Sequence, residues 1–354
     1  MEELRALLKS LLTTPGLSGY ESPIRTLIET TWRPITDEIR TSKLGSVHGL
    51  KRGTLPEPRP SALLAAHMDS IGLMVTGLTD GLLRITEVGG IDPRVLPGQT
   101  VTVHGRKKLA GLVVLPPSNL LPEEFDSQTP PLEYLLVDTG LESRTVEREV
   151  SIGDLISIDL PPTELSDDLL VGHPLDNRAS VAALTSCLWE LRFRQTHWDV
   201  WAVTTVQEEE TFGGAYTSAF QIRPTLAVAI DVTFGSSPGS PSHKTYPITK
   251  GITLGWGPNI HPKLHKIFKD LADRLEIPNQ EEVMPRHSGT DAFALQVAAE
   301  GVPTMIVSIP LRYMHTPVEM VSLKDIARAG RLLAEFVASL DEKFIEKIGW
   351  EEHA

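Results

Sequence analysis

The spacing of hydrophobic residues along this chain changes several times, and each change predicts an element. Leu4, Leu7, Leu8, Leu11 and Leu12 recur at helical spacing, so an amphipathic helix opens the chain and Pro15-Gly16 ends it. Ser22-Pro23 reads as an N-cap followed by proline at the first helical position, which predicts a helix to about Trp32. Strand and turn follow over 39–50, then a proline-rich connection. Four apolar runs, at 62–66, 199–206, 226–230 and 304–309, read as buried strands, the last closed by Pro310. Helical periodicity occupies the intervals between the later ones. The predicted helices cover 179–193, the stretch opened by Gly213-Gly214-Ala215, 262–275, 290–299 and 323–344. Such alternation predicts an α/β domain, a sheet covered by helices.

Residues 73–160 break that rhythm. Short apolar runs separated by Gly, Pro and Asp, with weak helical periodicity, predict a compact all-β module inserted between two halves of the α/β domain. The chain holds no internal repeat and no low-complexity segment.

Composition narrows the function classes. The chain has 354 residues, with 33 Lys and Arg against 46 Asp and Glu, a net charge of −13. That balance argues against nucleic acid and anionic membrane surfaces as partners. The lone cysteine, Cys187, excludes an intrachain disulfide framework. The N-terminus lacks a signal-peptide charge pattern, and no apolar run approaches the ~20 residues of a membrane span. These features predict a cytoplasmic protein.

The candidate chemistry lies where the buried strands end. Glu208, Glu209 and Glu210 follow one strand, with no Lys or Arg between Arg194 and Arg223 to answer them. His67-x-Asp69 follows another, Asp231 ends a third, and His315 lies beyond the fourth, while Asp176 starts a helix. Open α/β sheets bind ligands beyond the carboxyl ends of their strands, so these positions can converge. Each has an ordinary structural explanation alone; together they suit a pair of divalent cations. Imidazole and carboxylate donors favour zinc, with cobalt or manganese as alternatives. Asp176, Glu209 and Asp231 would set three negative charges against four positive, leaving room for a bridging hydroxide as nucleophile. Glu208 would then be the general base and Asp69 would orient the His67 ring.

These segments also resemble a family. His67-Met68-Asp69, Pro174-Leu175-Asp176-Asn177-Arg178, Val206-Gln207-Glu208-Glu209, Ala229-Ile230-Asp231-Val232-Thr233 and the block Arg312 through Glu319 are similar to the signatures of TET-type aminopeptidases. These are dinuclear metallopeptidases that include deblocking and glutamyl aminopeptidases. The resemblance implies a metal-dependent aminopeptidase acting on peptides, with the fold of the dinuclear zinc peptidases. It implies His67, Asp176, Glu209, Asp231 and His315 as metal ligands, with Asp176 as the bridge. It further implies Glu208 as base, Asp69 as His67 orienter and a cis bond after Asp176. Residues 1–72 and 164–354 would form the catalytic domain and 73–163 an inserted β-rich dimerisation domain. Dimers would assemble into a dodecamer. One departure stands beside the metals: Glu210-Thr211-Phe212-Gly213-Gly214-Ala215 replaces the usual V-G-x-R-G-A. The competing readings are a carboxypeptidase or N-deacylase of the related dinuclear clan, an endoglucanase-type hydrolase, and a catalytically silent assembly protein.

Overall fold

The structure is a computed structural model that describes residues 1–117, 119, 121, 131–166 and 168–349. The N-terminal leucine stripe forms α1 (Glu2–Leu12) and is buried along its length. In α2 (Ser22–Trp32) Ser22 is already helical, so Glu21 takes the cap position and Pro23 sits in the first turn. No intrahelical acceptor awaits an N–H there, so proline costs nothing. β1 (Glu38–Thr41) and β2 (Val47–Lys51) pair antiparallel, and β3 (Ser61–His67) is buried at every residue.

The chain then leaves the sheet. β4 (Gly72–Thr79), β5 (Leu82–Val88), β6 (Thr100–His104), β7 (Lys108–Val114), β8 (Leu136–Asp138) and β9 (Leu155–Ile158) close into a barrel ordered β4-β5-β8-β7-β6-β9. Closure leaves no unpaired strand edge. Leu73, Val75, Leu83, Val101, Val103, Val113, Val137 and Ile156 give the barrel its own core, apart from the main one. A helix that the apolar pattern does not predict, α3 (Ser143–Glu149), precedes β9 and adds Val146 to this core.

β10 (Thr163–Ser166) and β11 (Leu169–Gly172) return to the main sheet, followed by α4 (Leu175–Leu191) and β12 (Asp199–Thr205). A one-turn helix, α5 (Glu208–Thr211), leads into α6 (Gly213–Ile222). Then come β13 (Leu226–Phe234), β14 (Ile252–Trp256), α7 (Pro262–Arg274), β15 (Asn279–Val283) and α8 (Asp291–Gln296). The chain closes with β16 (Thr304–Arg312), β17 (Glu319–Ser322), α9 (Leu323–Ala338) and α10 (Phe344–Lys347). The main sheet runs β1-β2-β12-β3-β13-β16-β17-β11-β10, with β14 and β15 branching from β16. At its centre β12, β3, β13 and β16 are parallel and almost wholly buried, which explains their continuous apolar runs. Among the described residues no helix is long and apolar enough to cross a membrane.

Two expectations fail at element ends. β16 does not stop at Pro310 but runs to Arg312. Pro310 falls where β16 exchanges its partner β14, paired at Val307 and Ser308, for β17, paired from Leu311. That side of the strand asks no N–H of it. The predicted helix over 323–344 is two helices, because the chain turns after Ala338 to seat Phe344 edge-on against Trp198 and Phe336.

Candidate metal centre

Strand register decides where the polar tips land. Thr205 pairs with His67 across β12 and β3, and Ala229 pairs with Ala65 across β13 and β3. Two residues further, His67 and Asp231 stand at one level. Glu208 and Glu209 open α5 just beyond Thr205. Asp176 sits in a non-helical kink at the start of α4, and its bond to Asn177 is cis. Asn177 Nδ2 donates to the Ile230 carbonyl at 3.0 Å, which pins that kink beside Asp231. His315 arrives from the turn between β16 and β17 with φ of 60°.

The side chains meet around Asp176. Its Oδ1 lies 3.1 Å from His67 Nε2, while its Oδ2 lies 3.5 Å from His315 Nε2. Each carboxylate oxygen thus faces a different imidazole. His315 Nε2 is also 3.5 Å from Glu209 Oε2, and His67 Nε2 is 3.9 Å from Asp231 Oδ1 and 3.8 Å from Glu208 Oε2. Two trios, His67–Asp176–Glu209 and His67–Glu208–Asp231, each bring one donor atom per residue within 4.8 Å of the others. Asp69 meets His67 Nδ1 through its main-chain carbonyl at 3.3 Å. Its carboxylate also approaches that nitrogen, with Oδ1 at 3.5 Å, and accepts the backbone N–H groups of Glu208 at 3.0 Å and Glu209 at 3.2 Å. It holds both glutamates at the start of α5.

The electrostatics are those of a pocket short of positive charge. Burial, reinforced by neighbouring carboxylates, pushes Glu208, Glu209 and Asp231 well above the ordinary carboxyl range. Burial opposes charge on Asp176 too, but hydrogen bonds from His315 and His67 prevail and hold it well below that range. The same carboxylates raise His67 well above an ordinary histidine against the opposing effect of burial. Among the described residues, the ion-pair partners of these carboxylates are His67 and His315 alone. Glu209 Oε1 is buried with no hydrogen-bond partner. Hard oxygen donors, two imidazole nitrogens and an orphaned carboxylate oxygen fit bound divalent cations.

Several supporting residues are given no role by the motifs, although Glu319 and Arg178 lie within the matched blocks. Glu319 is fully buried; its Oε2 accepts the N–H groups of Leu175 (2.6 Å) and Asp176 (3.1 Å), and its Oε1 accepts that of His315 (3.0 Å). One carboxylate therefore ties the two segments carrying Asp176 and His315. A glutamate inside the buried strand β17 was the signal available. Glu21 Oε1 accepts from Gly19 at 2.7 Å and Gln207 at 3.2 Å, anchoring the turn into α5. Arg178, fully buried with Nη1 donating to the Leu11 carbonyl at 3.0 Å, brings positive charge near Asp69 and Glu21. Burial pulls its pKa down to about 9. Glu210 Oε1 accepts the Gly89 N–H at 2.7 Å, joining α5 to the end of β5. A Cβ on the next residue, Gly90, would stand 3.5 Å from His315 Nδ1, so the barrel forms part of the rim.

Known proteins resemble this chain over nearly its whole length. The chain is 35% identical over 342 residues to the lysyl aminopeptidase of Pyrococcus furiosus, covering 94% of this chain and 96% of that one. It is 27% identical over 364 residues to the glutamyl aminopeptidase of Lactococcus lactis, covering 98% and 99%. A TET aminopeptidase from a marine sediment archaeon of the Thaumarchaeota superposes with a TM-score of 0.93 at 27% identity over 99% of this chain and all of that one. The Pyrococcus horikoshii TET1 peptidase, which can assemble into a tetrahedron or a large octahedral shell, superposes with a TM-score of 0.83 at 29% identity, covering 95% and 100%. The family model for M42 glutamyl aminopeptidases matches residues 45–332. The chain belongs to that family, a hydrolase that acts on peptides as an aminopeptidase.

Proposed function

We propose that this chain removes N-terminal residues from peptides at a centre of two divalent cations, zinc by preference with cobalt or manganese able to substitute. His67, Asp176, Glu209, Asp231 and His315 would hold them. The observation that carries this reading is Asp176, whose two oxygens face two different imidazoles, as a carboxylate shared between two ions requires. Bound ions would polarise the scissile carbonyl and lower the pKa of the attacking water.

The remaining work falls to the protein's own groups. Glu208 takes the proton from the attacking water and returns it to the leaving amine, a transfer that burial of its carboxyl favours. Asp69 is a positioning residue, since it fixes the backbone of Glu208 and Glu209 and the Nδ1 side of His67. The anionic pocket attracts the free ammonium of a peptide, which favours cleavage next to the N-terminus. Residues 1–72 and 164–354 form the catalytic unit, and 73–163 carry contacts between copies. The relatives that assemble into closed shells support a homo-oligomer built from dimers, a dodecamer by preference. The charge of −13 argues against nucleic acid and anionic membrane surfaces as partners, and the lone Cys187 suits the reducing cytoplasm.

The test is turnover of aminoacyl-anilides by the metal-loaded protein. Release of the anilide from free α-amino substrates, lost when the amine is acetylated, supports the reading. Equal turnover of acetylated substrates contradicts it.

A further inference from the structure

Away from the residues that surround the metal centre, Glu282 is a partly buried carboxylate that no cation among the described residues meets. Glu282, on β15, is partly buried, and its oxygens accept hydroxyl protons from Thr233 (Oε1, 2.5 Å) and Thr253 (Oε2, 2.6 Å). Among the described residues no Lys, Arg or His forms an ion pair with it. Burial raises its pKa, and the neighbouring hydroxyls offset that only in part. The Ser308 hydroxyl faces it, at 1% exposure, yet makes no bond of hydrogen-bond geometry. The buried Ser308 hydroxyl is thus left without a partner beside this carboxylate, which is costly.

Its location gives it meaning. Side chains alternate across a strand, so Thr233 shares the sheet face of Asp231, two residues earlier on β13. Asp231 pairs with Ser308 on β16, and Ser308 pairs with Thr253 on β14, so those side chains share that face too. Glu282 therefore closes a polar strip that begins at the metal centre. The separation along β13 is about 7 Å for two residues, within reach of the four-carbon stem of a lysine.

We propose that Glu282 is the floor of the subsite for the side chain of the substrate's first residue. It selects peptides beginning with Lys or Arg. This rests on the aminopeptidase reading above. The ammonium or guanidinium supplies the cation, while Thr233 and Thr253 hold the carboxylate in place. An acidic first residue is repelled there, and a neutral one leaves the carboxylate unpaired.

The experiment uses the metal-loaded full chain. Its first arm measures equilibrium binding of L-lysine and of L-norleucine, a neutral analogue of nearly the same length, by calorimetry. Lysine is expected to bind about 10- to 100-fold more tightly, and Glu282→Gln to abolish that difference. Its second arm compares kcat/KM for lysyl-, leucyl- and glutamyl-anilides. Glu282→Gln is expected to lower the ratio of lysyl to leucyl kcat/KM by at least about tenfold. Lysine binding no tighter than norleucine in the unaltered protein overturns the proposal, as does an equal loss on all substrates in a folded variant. Absence of turnover on every anilide refutes the aminopeptidase reading instead, and the binding arm still decides this one.

Discussion

The two adjacent glutamates differ in what holds them and should differ in what they do. Glu209 Oε2 faces His315 while its Oε1 has no partner in the chain, so Glu209→Gln should lower metal content and stability together. Glu208→Gln should retain both ions and lower turnover by about 10²–10⁴-fold, the usual scale of proton-transfer catalysis. Elemental analysis beside kcat separates the two, and the opposite pattern reverses the assignment. Glu319 makes the complementary case. Replacing it with Ala strands two buried N–H groups and a half-buried one. At roughly 1–3 kcal/mol for an unsatisfied buried group, a loss of at least about 2 kcal/mol in urea unfolding is expected. Metal affinity should fall about 10- to 100-fold, as for other groups that orient ligands. The residue types at the strand tips could be read directly because charge at the end of an apolar run needs a partner. Glu319 and Glu21 could not, because they act on backbone N–H groups that only the fold brings to them.

Elements with strong local signals were legible, and elements whose identity depends on a neighbour were not. The central strands β3, β12, β13 and β16 announce themselves as unbroken apolar runs because both their faces are covered. β15 reads Asn279-Gln280-Glu281-Glu282-Val283 and carries no such run; it is a strand because β14 offers it a parallel ladder. β10, β11 and β17 are four residues each, too short for a period to show. The same dependence on neighbours makes a pH prediction. His48 on β2 is fully buried with Nε2 2.9 Å from Ser218 Oγ on α6, and burial brings its pKa down to about 4. The unfolded chain protonates this ring below about pH 6.5 while the folded chain does not, so its contribution is intact above that pH. It is lost as pH falls towards 4. The loss amounts to at most about 3 kcal/mol. His48→Gln should remove that share of the acid slope in metal-free protein, measured by denaturant unfolding from pH 7 to 4. An unchanged slope would show that His48 titrates normally.

At the scale of the whole molecule, the barrel's separate core lets it vary without disturbing the sheet, while Glu210 and Gly89 join the two at the rim of the site. Ile152, just before β9, is 70% exposed, and Leu112 on β7 is also exposed. Such side chains on the outside of a small barrel suit contacts between copies. Ile152→Glu combined with Leu112→Glu should give smaller particles by light scattering, with metal content unchanged. Unaltered mass would remove the barrel from the assembly contacts. Loss of metal as well would mean that the barrel and the site are one structural unit.

If Asp176 is the shared carboxylate, turnover requires two ions held through it. The most direct test is a titration of metal-free protein with zinc, following bound metal and aminopeptidase activity together. The expected result is no turnover without metal, full turnover near two equivalents per chain, and failure of Asp176→Asn to reach either. Full turnover in protein shown by elemental analysis to be metal-free would contradict it.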